Sequence, residues 1–326
     1  MEKQEAKTIA VLGAGAWGTA LALVLAHNHH TVYLWEFDPT HYQKLKETRI
    51  SDYLPSQRLP ENLIPFCDLS LAVKEVQAIL IVVPSHVFQN TLINLKKISD
   101  KPVPIAWATK GLIPPDRLAH EIFHEVFGKG VPCTVLTGPT FAKEVAERLP
   151  TSLLAASADI ASAMLWRDKL TNDYFHVDIC QDMIGAQIAG VVKNVLAIAI
   201  GMSDGLGYGA NTRCALITRG LNEMICLGEA MGAKQDTFLS VAGIGDLILT
   251  CTDNQSRNRR FGLALGQGQT VEEALKTVGL LVEGYHNTKS LYQLISRHHL
   301  TLPVLEKIHE VLIQQKSAAL AIKSLW

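Results

Sequence analysis

The chain has 326 residues, of which 48% are hydrophobic and 19% are charged, and its formal net charge is −1. This length predicts about two domains, and the high apolar content excludes a disordered protein. The near-zero charge argues against a nucleic-acid partner that is bound through bulk charge.

The cysteines, the N-terminus and the longest apolar stretch indicate the compartment of the protein. The cysteines are scattered without a C-x-x-C pair, which is typical of reduced intracellular thiols. The charged start Met1–Glu5 leads directly into an apolar strand and lacks the pattern of a signal peptide. The apolar stretch Ile184–Met202 contains Gln187, Lys193 and Asn194, which predicts a buried helix rather than a membrane span. We therefore expect a cytoplasmic protein without a membrane span.

In the first half, short β-branched runs alternate with amphipathic segments. The runs predict strands at Thr8–Leu12, Thr31–Trp35, Ala78–Pro84, Val103–Ala108, Thr134–Thr137, Ser152–Ser157 and Phe175–Ile179. The segments between them predict helices at Trp17–His27, Pro39–Glu47, Val87–Lys97, Leu118–Phe127, Phe141–Glu147 and Ile160–Leu170. Apolar strands without alternation, separated by helices, indicate a largely parallel sheet that is covered on both faces. This is the pattern of a doubly wound α/β domain.

The pattern changes near Asp182, after which no convincing strand follows. Helices are predicted at Asp182–Met202, Thr212–Met231, Phe238–Leu249, Val271–Val278, Thr288–Ser296 and Pro303–Ile313. We therefore predict an α/β fold in which a doubly wound domain at residues 1–181 precedes an all-helical domain at residues 182–326.

A glycine motif follows the first predicted strand and opens the first predicted helix. The stretch Gly13-Ala14-Gly15-Ala16-Trp17-Gly18 matches G-x-G-x-x-G, and the strand and helix around it are the context in which the motif binds a dinucleotide. The glycines permit a tight turn, close approach of the backbone to a pyrophosphate, and close packing of the helix on the sheet. The helix N-terminus adds N–H groups and a positive dipole. We therefore predict a dinucleotide-binding domain of the Rossmann type. The alternative is a glycine-rich turn that binds no ligand.

The second predicted strand ends at Trp35-Glu36-Phe37-Asp38. An acidic residue at this distance from the glycines usually accepts the ribose 2′-hydroxyl of NAD, and Glu36 is the natural candidate. No arginine follows immediately that would receive the 2′-phosphate of NADP, and the alternative is that Glu36 points into solvent. The sequence therefore leans slightly toward NAD and leaves NADP open.

Three charged residues lie in settings that suit proton transfer or the binding of a ligand. Lys193 has small and apolar neighbours in a predicted helix, and burial would lower its pKa so that it exchanges a proton with a carbonyl or alcohol oxygen. A lysine that snorkels to the surface is the alternative. Asp246 lies beside glycines and either pairs with Lys193 or caps a helix. Lys110 follows a predicted strand at the end where doubly wound folds bind ligands, or lies in an exposed turn.

One dense basic cluster, Ser256-Arg257-Asn258-Arg259-Arg260, suits a phosphate group. A solvated loop and a nucleic-acid patch are the alternatives, of which the second fits poorly with the net charge.

A zinc-protease motif, H-E-x-x-H, is matched by the stretch His120-Glu121-Ile122-Phe123-His124. The motif needs a third ligand and an open cleft. Here it lies in a predicted crossover helix whose apolar face packs on the sheet. We interpret it as a chance match and expect no metal.

Together these segments resemble the NAD(P)-dependent glycerol-3-phosphate dehydrogenases of the soluble bacterial type. The most specific stretch, Gly138-Pro139-Thr140-Phe141-Ala142-Lys143-Glu144-Val145-Ala146, is close to the family pattern G-P-x-F-A-x-E-V. Further motifs occur in family order along nearly the whole chain: Thr109-Lys110-Gly111, Val192-Lys193-Asn194, Gly243-Ile244-Gly245-Asp246-Leu247, Ser256-Arg257-Asn258 and Val282-Glu283-Gly284. At the second strand the chain departs from the family, which often has a basic residue or histidine near Glu36.

The resemblance implies a reversible reduction of dihydroxyacetone phosphate to sn-glycerol 3-phosphate with NAD(P)H, which feeds glycerophospholipid synthesis, in a homodimer. It implies catalytic roles for Lys193, Lys110 and Asp246. The implied substrate contacts are Lys110, Gly138, Thr140, Lys193, Asp246, Ser256, Arg257 and Asn258. The predicted cofactor contacts combine the glycine motif and Glu36 with the residues that the resemblance implies. They are Gly13, Gly15, Ala16, Trp17, Gly18, Glu36, Lys110, Ala142, Arg257, Leu281 and Glu283.

Two other functions stay open at this point. A related two-domain reductase of another hydroxy or keto acid shares the glycine motif and a lysine in its helical domain, but Ser256-Arg257-Asn258 favours a phosphorylated substrate. A regulatory protein that senses nucleotide without chemistry is expected to lack Lys193 or Asp246, and both are present.

Overall fold

The structure is a computed structural model that describes residues 7–98, 103–279 and 281–326, so that the charged start Met1–Glu5 lies outside the described residues. The described chain divides into two compact units. The first unit lies within Met1–Thr109 and Ala119–Met183, and the second within Lys110–Leu118 and Ile184–Trp326. The domain boundary between residues 181 and 182 stays a prediction. The sequence did not indicate that Lys110–Leu118 belongs to the second unit.

The first unit is built on a mostly parallel sheet. The described strands are β1 (Thr8–Leu12), β2 (Thr31–Trp35), β3 (Ile50–Ser51), β4 (Leu54–Arg58), β5 (Leu63–Phe66), β6 (Ala78–Ile81), β7 (Ile105–Trp107), β8 (Cys133–Thr137), β9 (Thr151–Ala156) and β10 (Phe175–Cys180). Eight of them form one sheet in the order β10-β9-β8-β7-β6-β1-β2-β5. Its neighbours are parallel except β8 and β9, and β3 and β4 form a separate antiparallel hairpin. The predicted, largely parallel sheet is confirmed.

Helices cover this sheet and bury its central strands. They are α1 (Ala16–His27), α2 (Pro39–Thr48), α3 (Leu69–Ala72), α4 (Ser85–Ile98), α5 (Ala119–Phe127), α6 (Ala142–Ala146) and α7 (Ile160–Leu170). In β1 the residues from Ile9 to Leu12 are all buried, as expected of a central strand that is packed on both faces. On α1, Leu21 and Val24 belong to the same apolar core as Val11.

The second unit is helical, as predicted. Its helices are α8 (Met183–Gly205), α9 (Ala210–Ala230), α10 (Gln235–Phe238), α11 (Asp246–Thr252), α12 (Arg257–Gly266), α13 (Val271–Val278), α14 (Glu283–Arg297), α15 (Pro303–Leu312) and α16 (Ala318–Lys323). A π-helical turn, Val241–Gly245, lies between α10 and α11. Every regular element among residues 184–279 and 281–326 is helical.

The long helix α8 forms the centre of the second unit's core. Over the described residues it is the one helix that is long and apolar enough to cross a membrane, but 94% of its apolar window is buried inside the molecule. The apolar residues from Ile188 to Met202 are buried and belong to this core. The predicted buried helix at Ile184–Met202 is therefore confirmed.

Glycines let α8 and α12 pack closely. A Cβ on Gly201 would lie 2.2 Å from the carbonyl oxygen of Arg259, and a Cβ on Gly262 would lie 2.1 Å from that of Ile198. Both distances are far below van der Waals contact, so a side chain at either position would force the helices apart. The crossing fixes the relative position of two helices that carry predicted site residues.

Some elements differ from the prediction. The single helix predicted at Phe238–Leu249 is wrong, because the chain there forms α10, the π-helical turn and α11. The close approach of Gly243 to the backbone of Phe238 accompanies this change, since a Cβ on Gly243 would lie 2.1 Å from the Phe238 oxygen. The strands β3, β4 and β5 and the helices α3, α12 and α16 were not predicted.

Candidate active site

A cluster of two lysines and one aspartate lies in the second unit. Lys193 Nζ on α8 donates to Asp246 Oδ1 at 2.5 Å, and Lys110 Nζ donates to Asp246 Oδ2 at 3.0 Å. The Asp246 side chain is 1% exposed, so its carboxylate is almost completely desolvated. One carboxylate thus holds two ammonium groups in fixed positions, and two ammonium groups on one carboxylate leave an excess of positive charge.

Burial changes the proton affinity of Lys193. The pKa of Lys193 is lowered to about 8, mainly by desolvation and also by the charge of Lys110, while the Asp246 carboxylate opposes the shift. A lysine with this pKa exchanges a proton readily near neutral pH. The surface-snorkelling alternative does not apply, because Lys193 is 6% exposed.

Thr250 completes the hydrogen bonding of Lys193. Its hydroxyl donates to the backbone oxygen of Asp246 at 2.6 Å and accepts from Lys193 Nζ at 3.1 Å. The ion pair with Asp246 and the bond to Thr250 use two of the three N–H groups of the Lys193 ammonium. The sequence reasoning missed Thr250, although it lies one helical turn after Asp246.

A π-helical turn lies directly before Asp246. Asp246 is the first residue of α11, and the N-cap is Gly245, which makes no side-chain capping bond. The alternative role of Asp246 as an N-cap is therefore not observed. Single π-helical turns occur frequently at functional sites.

A second network lies one residue along α8. Asn194 Nδ2 donates to Glu283 Oε2 at 3.1 Å, and Asn258 Nδ2 donates to Asn194 Oδ1 at 3.0 Å. Asn258 Oδ1 in turn accepts from the Gly284 backbone N–H at 2.8 Å. These bonds tie α8, α12 and α14 together. Two residues that were predicted as ligand contacts, Asn258 and Glu283, thus meet through Asn194, to which the sequence reasoning gave no role.

The basic cluster is divided between different environments. Ser256 is the N-cap of α12 and accepts from the Arg259 backbone N–H, so the solvated-loop alternative is wrong. Arg257 is exposed in the first turn of α12. Arg259 is buried and pairs with Asp204 at 2.6 Å. Of these two arginines, Arg257 is the one available to an anion, and it stands at a helix N-terminus, which attracts anions.

The glycine motif has the geometry of a dinucleotide cradle in the first unit. Gly13 has a φ of 113°, and a Cβ on it would lie 2.5 Å from the Val82 oxygen. A Cβ on Gly18 would lie 1.8 Å from the Gly13 oxygen, whereas the space around Gly15 is open to 4 Å. Gly15 caps α1 without a side-chain bond. The first N–H groups of α1 therefore border an open space that suits a pyrophosphate.

The neighbours of the motif are only partly accessible. Ala16 and Trp17 begin α1, and the indole Nε1 of Trp17 is buried without a hydrogen-bond partner among the described residues. Glu36 directly follows β2 and is 9% exposed, so the alternative in which it points into solvent is wrong. Its carboxylate contacts His41 on α2, a residue that the sequence reasoning did not consider.

The remaining predicted contacts lie apart from these groups along the chain. Gly138 follows β8, and its oxygen accepts from the Thr140 hydroxyl at 3.2 Å. Ala142 begins α6 in the first unit, and Leu281, 39% exposed, precedes α14 in the second. The ligand roles of these residues stay predictions.

The histidines of the H-E-x-x-H stretch face each other on α5. The His120 and His124 rings are 6.2 Å apart between centroids and meet edge to face. Within the described ranges, no group of three or more His, Cys, Asp or Glu side chains is arranged to hold a metal ion.

Two family models cover most of the chain. The model of the N-terminus of NAD-dependent glycerol-3-phosphate dehydrogenase matches residues 8–163, and the model of the C-terminus of the same enzyme matches residues 182–323. A glycerol-3-phosphate dehydrogenase of Yersinia pestis, named for the cofactor NAD(P)+, is 49% identical over 314 residues, which are 95% of this chain and 93% of the relative.

Solved structures agree with this match. A glycerol-3-phosphate dehydrogenase from Coxiella burnetii has a TM-score of 0.95 at 44% identity and covers 98% of both chains. A ketopantoate reductase from Ralstonia eutropha has a TM-score of 0.62 at 16% identity, with 97% of this chain and 99% of the other covered. At that identity the second likeness shows the fold alone.

Proposed function

The chain belongs to the NAD-dependent glycerol-3-phosphate dehydrogenase family, and we propose that Lys193 is the proton carrier of its reaction. The proposed reaction is the reversible reduction of dihydroxyacetone phosphate to sn-glycerol 3-phosphate with NAD(P)H. As the family resemblance implies, its product feeds glycerophospholipid synthesis. The observation that carries the proposal is the buried Lys193–Asp246–Lys110 cluster.

Reduction of the ketone needs a proton at the oxygen while hydride reaches the carbon. A nicotinamide cofactor, when bound, would supply or accept the hydride. Lys193 donates its proton to the developing alkoxide at C2 of the substrate and takes it back in the reverse direction. Asp246 and Thr250 hold Nζ in place, so little reorganisation is needed at the moment of transfer.

Positive charge also serves to bind the substrate. Lys110 keeps a second ammonium group close to Lys193 through their shared partner Asp246, where it stabilises negative charge on the substrate oxygen. Arg257 holds the phosphate group together with the first N–H groups of α12. Their role is to orient the substrate, which is where binding energy lowers the barrier.

The glycine motif is the proposed seat of the cofactor. Gly13, Gly15 and Gly18 form the turn, and the N-terminus of α1 faces the pyrophosphate. The cofactor is NAD or NADP, and Glu36 at the end of β2 supports a preference for NAD.

A Lys193→Met variant tests the proton-carrier role. Methionine has a similar length without the ammonium group, and Asp246 keeps its bond to Lys110. We expect kcat for dihydroxyacetone phosphate to fall by about 10²- to 10⁴-fold, the usual contribution of a general acid. NADH binding and the melting temperature should change little.

The matched control is Lys289→Met, which removes an exposed lysine from α14 in the same unit. It should retain wild-type turnover. A folded Lys193→Met protein with most of its turnover would contradict the proposal.

We also propose that the protein is cytoplasmic and acts as a homodimer, as the family resemblance implies. None of the six cysteines, all of which lie in the described ranges, is in a disulfide, which supports a reducing compartment. Light scattering on the purified protein measures the oligomeric state, and a mass of one chain would contradict the dimer.

A further inference from the structure

The acidic residue at the end of β2 is held by a histidine. Glu36 Oε2 lies 2.6 Å from His41 Nδ1, and Glu36 Oε1 accepts from the Asp38 backbone N–H at 2.9 Å. The side chains of Glu36 and His41 are 11% and 10% exposed. A carboxylate this deeply buried needs such partners, and each oxygen keeps a lone pair for a further hydrogen bond.

The pair stands directly beside the glycine motif. The Gly13 backbone N–H donates to the Trp35 oxygen at 3.0 Å, and the next residue of that chain is Glu36. The Glu36 backbone N–H donates to the Phe66 oxygen at 2.8 Å, so the backbone of Glu36 is fixed by the edge strand β5. The carboxylate is thus in the position where an acidic residue accepts ribose hydroxyls in this type of domain.

His41 is itself held in place from two sides. Asp38 caps α2 and accepts from the His41 backbone N–H at 3.0 Å. The His41 ring meets the Tyr53 ring edge to face at 5.0 Å, and Tyr53 lies in the turn of the β3–β4 hairpin. The His41 ring is therefore held in one position, and its Nδ1 fixes the direction of the Glu36 carboxylate.

We propose that His41 is a positioning residue that makes the enzyme prefer NADH over NADPH. It holds the Glu36 carboxylate so that the free lone pairs accept the ribose hydroxyls of NADH. A 2′-phosphate has no hydrogen to donate and adds negative charge next to this carboxylate, so NADPH binds less well. The inference rests on the proposed binding of the cofactor at the glycine motif.

Two variants of His41 separate positioning from general structure. His41→Asn keeps an N–H donor close to the place of Nδ1, whereas His41→Gln moves the donor to the place of Nε2. The dissociation constants of NADH and NADPH are measured by fluorescence titration of the full chain, together with kcat/KM for both cofactors. A loss of stability alone would weaken the binding of both cofactors and leave the ratio of their dissociation constants unchanged.

We expect wild type and His41→Asn to bind NADH more tightly than NADPH. In His41→Gln the preference should fall by about tenfold, the size of one charge-assisted hydrogen bond. Glu36→Gln should also lower the preference for NADH over NADPH, because it removes the charge that His41 positions.

Three outcomes overturn the inference. They are a wild type that prefers NADPH, a preference that is the same in wild type and His41→Gln, and a His41→Asn variant that behaves like His41→Gln. A wild type that binds neither cofactor overturns the proposed function itself, and the inference with it.

Discussion

Two ammonium groups share one buried carboxylate, and this arrangement decides when Lys193 carries a proton. Burial favours the neutral amine, Asp246 favours the ammonium, and Lys110 again favours the neutral amine. The balance lowers the pKa of Lys193 to about 8, where either form is accessible at physiological pH. A reversible reaction needs this property, because one direction uses the proton donor and the other uses the acceptor.

The two directions of the reaction should therefore depend on pH in opposite ways. Reduction of dihydroxyacetone phosphate needs the ammonium form, so its kcat should fall as the pH rises through about 8. Oxidation of glycerol 3-phosphate needs the neutral amine, so its kcat should rise over the same range. Steady-state rates in both directions between pH 6.5 and 10 would measure this.

An Asp246→Asn variant is the control for the cause of this pH profile. Removal of the carboxylate takes away the charge that favours the ammonium, so the fall in the reduction rate should move to lower pH. Parallel profiles for the two directions would contradict the assignment of Lys193.

At this scale the sequence predicted the charged residues of the site better than their neutral partners. A lysine in an apolar helix and an aspartate among glycines stand out, because burying a charge requires a reason. Thr250 does not stand out, since its role depends on where α11 begins. His41 was not considered, because its contact with Glu36 depends on the side-chain directions at the start of α2.

The packing of α8 against α12 explains why the second unit tolerates so many glycines. Gly201 and Gly262 face the backbone of the opposite helix at distances where no Cβ fits. This close contact holds the first turn of α12, with Arg257, in a fixed position relative to Lys193 on α8. The glycines thus act on the site through the spacing of the helices.

A Gly262→Ala variant should lower the melting temperature and weaken substrate binding. The new methyl group would lie 2.1 Å from the Ile198 oxygen, and overpacking of this kind costs about 1–3 kcal/mol. Thermal unfolding and the KM for dihydroxyacetone phosphate are the measurements.

The matched control for Gly262→Ala is Gly130→Ala. Gly130 is exposed, and a Cβ there meets nothing within 4 Å. Its melting temperature should be unchanged or slightly higher, since alanine restricts the unfolded chain. Equal melting temperatures for the two variants would contradict the packing argument.

The elements that the sequence predicted are those with long apolar patterns. Strands β1 and β2 and helix α13 have the predicted bounds because their patterns are strong and their ends are marked. Strand β5 contains Pro65, which disfavours a strand but is tolerated at the edge of a sheet, where β5 lies. Helix α12 contains two glycines whose purpose is visible only in the contact with α8.

At the scale of the whole molecule, the net charge argues against one class of partner and says nothing about the local field. The formal charge of −1 predicts that the protein does not bind nucleic acid through bulk charge. The charges are nevertheless unevenly placed, because Lys110 and Lys193 share a single carboxylate. A small phosphorylated substrate responds to this local excess rather than to the total.

The course of the chain between the two units leads to the last prediction. Residues Lys110–Leu118 leave the first unit in sequence but belong to the second by contact. Leu112 is 2% exposed in the core around α8, and its backbone N–H donates to Asn287 Oδ1 at 2.7 Å. The segment therefore contributes to the stability of a unit that lies mostly after residue 184.

A Leu112→Ala variant of the full chain should destabilise the helical unit selectively. Loss of a buried leucine costs about 2–5 kcal/mol, so hydrogen exchange should speed up in α8 and α14 more than in β1 and β6. Leu136→Ala is the reciprocal control, because Leu136 is 1% exposed in the core of the first unit. It should speed up exchange in β1 and β6 instead. If both variants raised exchange equally in both units, the segment would not belong to the second unit in the energetic sense, because stability would then be shared across the whole chain.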